Sequence, residues 1–299
     1  MTEPRPPRVP APSGLVVVDK PAGLTSHDVV ARVRRALGTR KVGHAGTLDP
    51  LATGVLVVGV ERATRLLGHL MLTEKAYDAT ARFGVATTTD DAEGEVLTTA
   101  DAAALASVTP ERIRAALEDH RGDLDQVPTA VSAIKVDGKR AYQRVRDGEQ
   151  VELAARRVTV HELEVTDVRG LEADFSLRCS SGTYVRAIAR DAGASLGVGG
   201  HLTALRRTAV GPYDLGLART VEEVAQDPRG SVLPIAEAAR RAFTSHDLTP
   251  AQAADVRVGR RLDDLALSGL TALFDPDGEF LALYEPRGEA GARPVAVFV

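Results

Sequence analysis

The sequence predicts an α+β protein, and three features of the chain indicate this class. Apolar runs that suit β-strands are mixed with amphipathic stretches that suit helices, without the regular βαβ alternation of a doubly wound sheet. No glycine-rich phosphate loop follows a strand and opens a helix, which argues against a nucleotide cofactor. After residue 234, short apolar pieces separated by Asp-Gly and Pro-Arg-Gly turns predict a compact β-rich unit.

The first predicted elements flank a basic loop. Residues 15–18 form a β-rich run that Pro21 would stop. Ser26 is a candidate cap for a helix whose apolar residues recur at helical spacing, with Gly38 at its end. The continuous apolar run at residues 54–60 predicts a buried strand. The basic side chains around this helix belong to Arg32, Arg34, Arg35 and Arg40.

The middle of the chain continues the mixed pattern. Strands are predicted at residues 77–83, 158–165 and 175–179, and a helix that begins at Pro110 extends to residue 117. Thr183 is the predicted cap of a further helix, which runs to about residue 196 and is closed by Gly197. Residues 121–150 combine turns with several lysines and arginines, and they predict a basic excursion from the domain.

The composition limits the classes of function. The chain has 299 residues, 44% of them hydrophobic, which is enough for one large domain or two unequal ones. Its 41 acidic and 37 basic residues give a net charge of −4, so a polyanion would have to meet a local basic patch. The single cysteine, Cys179, can form no internal disulfide and no thiolate cluster, and it fits a cytoplasmic location. We expect no membrane span, and the proline-rich residues 1–13 predict a disordered tail.

The stretch RKVGHAGTLDPLATGVLVV, residues 40–58, contains the first candidate site. Pro50 restricts Asp49 to extended backbone angles, and the strand predicted after it would hold the carboxylate in place. Five basic residues and no acidic residue lie between residues 31 and 48, so a polyanion could approach this loop. The alternative interpretation is an ordinary Asp-Pro turn beside a solvated arginine face.

Two further residues are candidates for partners of Asp49. Arg186 falls in the first turn of a predicted helix, where the helix dipole disfavours a cation, so its guanidinium is expected to meet an anion. That anion could be a nucleic-acid phosphate or Asp49, and a loop carbonyl is the alternative acceptor. Tyr77 at a predicted strand start offers a flat ring and a hydroxyl, although packing in the core is the commoner fate of such a tyrosine.

The motifs, taken together and in order, resemble those of the TruB-type tRNA pseudouridine synthases. The similarity extends over residues 14–220 and is weaker in the last 60 or so residues. The segments that resemble the family include GLVVVDKPAGLTSHDVV, GHAGTLDPLATGVL, EKAYDATARFGVATTTDDAEGEV, QVPTAVSAIKVDGKRAYQRVRDG, CSSGTYVRAIARDAG and HLTALRRTAVGPY. The resemblance implies a pseudouridine synthase fold, with a mixed, largely antiparallel sheet flanked by helices. Residues 14–235 would form the catalytic domain, residues 121–150 an RNA-binding excursion, and residues 236–299 a small PUA-like RNA-binding domain.

The resemblance also implies an activity and a set of site residues. The chain would isomerise uridine to pseudouridine at position 55 in the T-loop of tRNA, without a cofactor or a metal. Asp49 would be the catalytic carboxylate, Tyr77 would stack on the target base, and Arg186 would pair with Asp49. The residues that would bind the substrate are His44, Tyr184, Leu205, Lys20 and Arg40. The partner would be the T-arm of tRNA, with no guide RNA and no membrane, and we expect a monomer.

Three other functions are considered. A protein of the same fold could bind and fold tRNA without modifying it, but the presence of Asp49, Tyr77 and Arg186 argues against an inactive enzyme. A related synthase could use guide RNA and protein partners, and it would carry long basic tails that this sequence lacks. A glycoside hydrolase would need two carboxylates about 5–10 Å apart, which the motif around Asp49 does not supply.

Overall fold

The computed structural model describes residues 10–129 and 153–299, together with the backbone of two short strands at residues 135–136 and 139–140. Most of the predicted disordered tail and most of the basic excursion at residues 121–150 lie outside the described residues. The strands are β1 (Gly14–Lys20), β2 (Val42–Ala45), β3 (Thr53–Val60), β4 (Lys75–Phe83), β5 (Val85–Thr87), β6 (Val96–Thr99), β7 (Gly122–Gln126), β8 (Lys135–Val136), β9 (Lys139–Arg140), β10 (Arg156–Arg169), β11 (Glu172–Cys179), β12 (Gly200–Val210), β13 (Tyr213–Asp214), β14 (Arg219–Thr220), β15 (Leu233–Pro234), β16 (Thr244–Asp247), β17 (Thr271–Phe274), β18 (Phe280–Arg287) and β19 (Gly291–Val297).

The helices are distributed along the whole chain. They are α1 (Ser26–Leu37), α2 (Leu67–Leu70), α3 (Ala102–Ala106), α4 (Pro110–Glu118), α5 (Val185–Ser195), α6 (Val221–Gln226), α7 (Ile235–Ala242) and α8 (Pro250–Arg257), with a 3-10 helix at Glu61–Arg65. No helix in the described part of the chain has the length and apolarity that crossing a lipid bilayer would require.

One large mixed sheet organises most of the chain. Its strand order is β14-β1-β3-β12-β4-β11-β10-β7. Three short strands pair with members of this series: β2 with β3, β13 with β12 and β15 with β1. Most neighbours are antiparallel, and the pairs β1 with β14 and β3 with β12 are parallel. The C-terminal part forms a separate four-stranded sheet in the order β16-β17-β18-β19. The predicted α+β class, with a C-terminal strand-rich unit, is confirmed.

Helices pack against the large sheet, and the apolar residues buried at these contacts form three clusters. Helices α4 and α5 pack against strands β4, β10, β11 and β12 through residues such as Ile113 and Ile188. Helix α1 and helix α6 pack on β1 and β3 through Val29, Val33 and Val221. The third cluster joins β1, β3 and α7 to the C-terminal strands, where Phe298 is 1% exposed. The C-terminal sheet therefore shares a continuous apolar core with the large sheet.

Two predicted helix caps differ from the structure. Thr25 caps helix α1 in a capping box with Asp28, whereas Ser26 is buried and bonds to the Leu48 backbone. Helix α5 begins after Tyr184 without a side-chain cap, and Thr183 donates instead to the Ser180 carbonyl. Both hydroxyls thus stabilise the loops beside the helices. Gly38 ends helix α1 in the left-handed conformation (φ 68°), as predicted.

The contact of strand β3 with strand β12 depends on Gly54. Its φ is +96°, and a Cβ atom at this position would lie 2.2 Å from the Arg207 carbonyl oxygen. We expect Gly54→Ala to lower the free energy of unfolding by about 3 kcal/mol or more, because it adds a steric clash to an unfavourable φ. Gly122→Ala is the matched control, since its φ is +103° with nothing near the added Cβ. It should lose only about 1–2 kcal/mol in urea unfolding. Equal losses in the two variants would contradict the steric explanation.

Candidate active site

Hydrogen bonds from the segment around helix α1 fix the backbone of the loop that carries Asp49. The Ser26 hydroxyl donates to the Leu48 carbonyl at 3.1 Å and accepts from the Leu48 amide at 2.9 Å. The carbonyl of Pro50 accepts from the Gly23 amide at 2.9 Å. The carboxylate therefore projects from a fixed backbone, as the Asp-Pro sequence predicts.

Lys20 is buried beneath the same loop and donates hydrogen bonds to its backbone. Its side chain is fully buried, and its ammonium donates to the carbonyls of Pro21 (3.0 Å), Leu24 (2.7 Å) and Pro50 (3.2 Å). Burial lowers the pKa of Lys20 to about 8, and the nearby Asp49 carboxylate acts in the opposite direction. The structure thus places this cation behind the loop as a support.

Arg186 joins two carboxylates of different exposure. One guanidinium nitrogen lies 3.0 Å from an Asp49 oxygen, and the other lies 3.1 Å from an Asp91 oxygen and donates to the Thr89 carbonyl at 2.7 Å. The side chains of Arg186 and Asp91 are 7% and 4% exposed, whereas that of Asp49 is 41% exposed. Asp49 is therefore the member of this cluster that a ligand can reach.

Asp91 was not among the residues that the sequence predicted for the site. Its turn is fixed by Thr87, whose hydroxyl donates to the Asp91 carbonyl at 2.7 Å, and by the Glu93 amide, which donates to an Asp91 oxygen at 3.1 Å. Asp90 beside it has a φ of 59°, which is uncommon for a residue other than glycine. The only local signal in the sequence at this turn is the pair of adjacent aspartates.

A cavity of about 340 Å³ opens beside Asp49. Of the predicted site residues, the structure brings Asp49, Tyr77, Arg186, Tyr184 and Leu205 together around this cavity. The central strands explain the arrangement, because Asp49 precedes β3, Leu205 lies on β12 and Tyr77 lies on β4, which are neighbours in the sheet. The backbone of Tyr184 is fixed by the side-chain amide of Gln126, with hydrogen bonds of 2.7 and 3.1 Å.

Arg207 also lines the cavity and was not predicted from the sequence. It is 1% exposed, and its guanidinium donates to the carbonyls of Val55 (2.7 Å) and Gly46 (3.1 Å). It pairs across the sheet with Tyr77, whose ring is 7% exposed. A buried arginine inside a strand has no signal in a sequence pattern, because arginines in strands usually face solvent.

Comparisons with known proteins agree with this geometry. Residues 34–185 match the model of the "TruB family pseudouridylate synthase (N terminal domain)". Residues 186–238 match the "tRNA pseudouridylate synthase B C-terminal domain", and residues 243–299 match "tRNA Pseudouridine synthase II, C terminal". The chain belongs to the TruB family of pseudouridylate synthases. The predicted family is thus confirmed.

Relatives and solved structures match almost the whole length of this TruB-family chain. It is 57% identical to the tRNA pseudouridine synthase B of Nocardia farcinica, over 97% of this chain and 94% of that protein. The protein of the same name from Rhodococcus jostii is 54% identical, over 95% of this chain and 94% of that protein. A chain in the structure of an H/ACA RNP bound to a substrate RNA containing 2'-deoxyuridine is 24% identical, with a TM-score of 0.72, over 96% of this chain and 85% of that chain. A chain of a Cbf5-Nop10-Gar1 complex has the same TM-score at 25% identity, and the likeness to both structures shows the fold.

The remaining predicted residues lie outside the lining of the cavity in this TruB-family chain. His44 lies on β2 with its ring edge-on to that of His27, at 5.5 Å between centroids. Arg40 is exposed just before β2, and Lys20 is buried behind the loop. Within the described residues, no group of three or more histidine, cysteine, aspartate or glutamate side chains could hold a metal ion.

Burial dominates the electrostatics of the TruB-family site. Removal from water raises the pKa of Asp49, the Arg186 guanidinium acts against this shift, and Asp91 adds to it. Burial also raises the pKa of Tyr77. On the same cavity, burial and the neighbouring Arg207 lower the pKa of Lys75 to about 8. The ionised Asp49 carboxylate is therefore held in the folded protein at an energetic cost.

This cost predicts opposite effects of two aspartate substitutions on stability. Because the pKa of Asp49 is higher in the folded than in the unfolded state, its ionised form destabilises the fold above the folded pKa, and this effect disappears below the unfolded pKa. Asp49→Asn should therefore raise the free energy of unfolding at pH 7 slightly, because the partly exposed carboxylate is screened by solvent, and the gain should vanish as the pH falls from the folded to the unfolded pKa. Asp91→Asn should lower it by about 3 kcal/mol, because it breaks a buried pair. Urea unfolding as a function of pH measures both, and a destabilised Asp49→Asn would contradict this assignment of charge.

Proposed function

We propose that the chain converts uridine to pseudouridine in tRNA, at position 55 of the T-loop. The relatives named above are tRNA pseudouridine synthases B, and the family fixes the type of reaction. The observation that supports the proposal most directly is Asp49, the one carboxylate among the described residues that line the cavity. It faces a cavity of about 340 Å³ and is paired with the buried guanidinium of Arg186.

The reaction requires little from the protein beyond this site. The bond between the sugar C1′ and uracil N1 breaks, the uracil turns, and a bond forms between C1′ and C5. C5 loses its proton and N1 gains one, so the nucleotide keeps its composition and the reaction is an isomerisation. Cleavage of the glycosidic bond develops positive character on the sugar, which the Asp49 carboxylate stabilises.

The neighbours of Asp49 have separate roles in this proposal. Tyr77 stacks on the uracil ring, while Tyr184 and Leu205 enclose it. Arg186 orients the carboxylate and favours its ionised form against the effect of burial. A target base that lies in a T-loop costs less to unstack than a base in a duplex.

The wider surface accounts for RNA binding despite the net charge of −4. The side chains of Arg32, Arg35 and Arg40 are exposed around helix α1, and they meet phosphates of the T-arm. His44 and His27 lie beside the Asp49 loop and contact the rearranged T-loop. Residues 14–235 form the catalytic domain and residues 236–299 a PUA-like RNA-binding domain. The chain acts as a monomer, without guide RNA, cofactor or metal.

Substitution of Asp49 tests the proposed reaction. Asp49→Asn should abolish pseudouridine formation on an unmodified tRNA transcript, even at long incubation times, while the affinity for the transcript stays within about threefold, because the ribose loses the carboxylate that faces it in the cavity. Asp174→Asn is a matched control, since Asp174 is a partly exposed aspartate paired with Arg169 on the sheet away from the cavity. Mapping of pseudouridine by position measures the outcome. A wild-type protein that binds the transcript but forms no pseudouridine would favour the non-catalytic tRNA-binding alternative.

Substitution of Arg186 tests the bridge between the carboxylates. Arg186→Lys should lower the single-turnover rate at saturating tRNA by about 100-fold or more, because one ammonium cannot serve both Asp49 and Asp91. The affinity should change little. Arg190→Lys is the control on the same helix, where the arginine binds Asp90 and Asp191 outside the cavity lining. Weaker binding with a normal saturated rate would instead indicate that Arg186 holds a phosphate.

A further inference from the structure

Two large apolar side chains are presented to solvent at the mouth of the cavity, between helix α2 and strand β4. Met71 is 46% exposed and also lines the cavity beside Asp49. Its neighbour Leu72 is 79% exposed. Helix α2 already anchors itself in the core through Leu67 and Leu70, so the fold does not require an apolar side chain at residue 72. Exposed apolar surface that continues a functional cavity indicates a contact with a ligand.

The backbone that carries these side chains is rigidly supported. The Met71 carbonyl accepts hydrogen bonds from the Ser181 hydroxyl at 2.7 Å and from the Lys75 ammonium at 3.0 Å. The same ammonium donates to the Thr73 carbonyl at 2.7 Å, and Lys75 is itself 8% exposed. The Lys75 ammonium and the Ser181 hydroxyl thus fix the backbone of a turn whose side chains at residues 71 and 72 are exposed. Such support is what a side chain needs when it has to enter a ligand in a defined orientation.

We propose that Met71 and Leu72 form an apolar wedge that enters the RNA beside the target uridine. Met71 contacts the uracil in the cavity. Leu72 packs against the flanking base, on the face that the uridine covered before it left the stack. The proposal rests on the proposed function, because it assumes that a uridine leaves its stack to reach Asp49. The flanking base then exposes an apolar ring face, and an apolar side chain inserted there stabilises the open state.

The chemistry of the wedge favours a base over other occupants. Met71 and Leu72 carry no charge and no hydrogen-bonding group that would suit a phosphate or a ribose hydroxyl. The wedge is also continuous with a cavity that we assign to a uracil ring, so the surface next to it on the RNA is another base. A second copy of the chain is the other occupant that an exposed leucine could have, and the experiment below separates the two.

The experiment uses the full-length protein and an unmodified T-arm stem-loop in which one or the other base flanking the target uridine is 2-aminopurine. The wild type should raise the fluorescence of one of these probes on binding. Leu72→Ser should lose this rise and should lower the ratio of single-turnover rate to Kd by roughly tenfold. Leu72→Met should retain both signals, because it keeps an apolar side chain. Leu97→Ser is the control, since Leu97 is 62% exposed on strand β6 and outside the cavity lining, and it should behave as the wild type.

A second RNA tests the contact itself. When the responding flanking base is replaced by an abasic nucleotide, the penalty for Leu72→Ser should disappear, because the contact has no partner left. A penalty that persists on the abasic RNA would overturn the proposal, as would an active wild type that Leu72→Ser matches in rate, Kd and fluorescence. A mass in sedimentation that falls from dimer to monomer with Leu72→Ser would assign the surface to self-association and also overturn it. An inactive wild type would instead contradict the proposed function.

Discussion

The site depends on one interaction, the placement of the Arg186 guanidinium between a buried and an accessible carboxylate. Asp91 and Thr89 hold the guanidinium from the protein side, and Asp49 accepts from its other nitrogen. Because Asp91 balances the charge of the arginine inside the protein, the position of Arg186 does not depend on Asp49. The carboxylate that faces the cavity therefore meets a donor that is already in place, and little reorganisation is needed when charge develops on a substrate.

A set of buried cations keeps the rest of the site fixed around this interaction. Lys20, Lys75 and Arg207 are each buried, and each donates to backbone carbonyls of loops or strands next to the cavity. Burying a cation is unfavourable, and hydrogen bonds to backbone carbonyls offset only part of that cost. The effect is a positive environment around Asp49, the carboxylate that faces the cavity. We infer that the buried cations lower the stability of the fold. In return, they favour the ionised form of Asp49 in a cavity where burial disfavours charge.

Much of this arrangement could be predicted from the sequence, and the limits have physical causes. Asp49 became a candidate because proline and a following apolar strand restrict its backbone, and Arg186 because a cation in a first helical turn needs an anion, but it was the resemblance to the TruB-type synthases that implied their roles. Asp91 and Arg207 were not predicted, since their roles arise from long-range contacts across the sheet that no local pattern reveals. Thr25 and Ser26 show the same limit on a smaller scale. Either hydroxyl could cap helix α1, and only the packing of Leu48 decides that Ser26 turns inward.

The presence of Asp91 raises the question whether the site has a pair of catalytic carboxylates after all. A glycoside hydrolase places two accessible carboxylates on opposite sides of the bond that breaks, with room for a water in inverting enzymes. Here Arg186 occupies the space between Asp49 and Asp91, and the Asp91 side chain is only 4% exposed. Asp91 can therefore neither donate a proton to a leaving group nor activate water in the cavity. One accessible carboxylate with a fixed guanidinium behind it suits a reaction in which the base returns to the sugar and water takes no part, and pseudouridine formation is such a reaction.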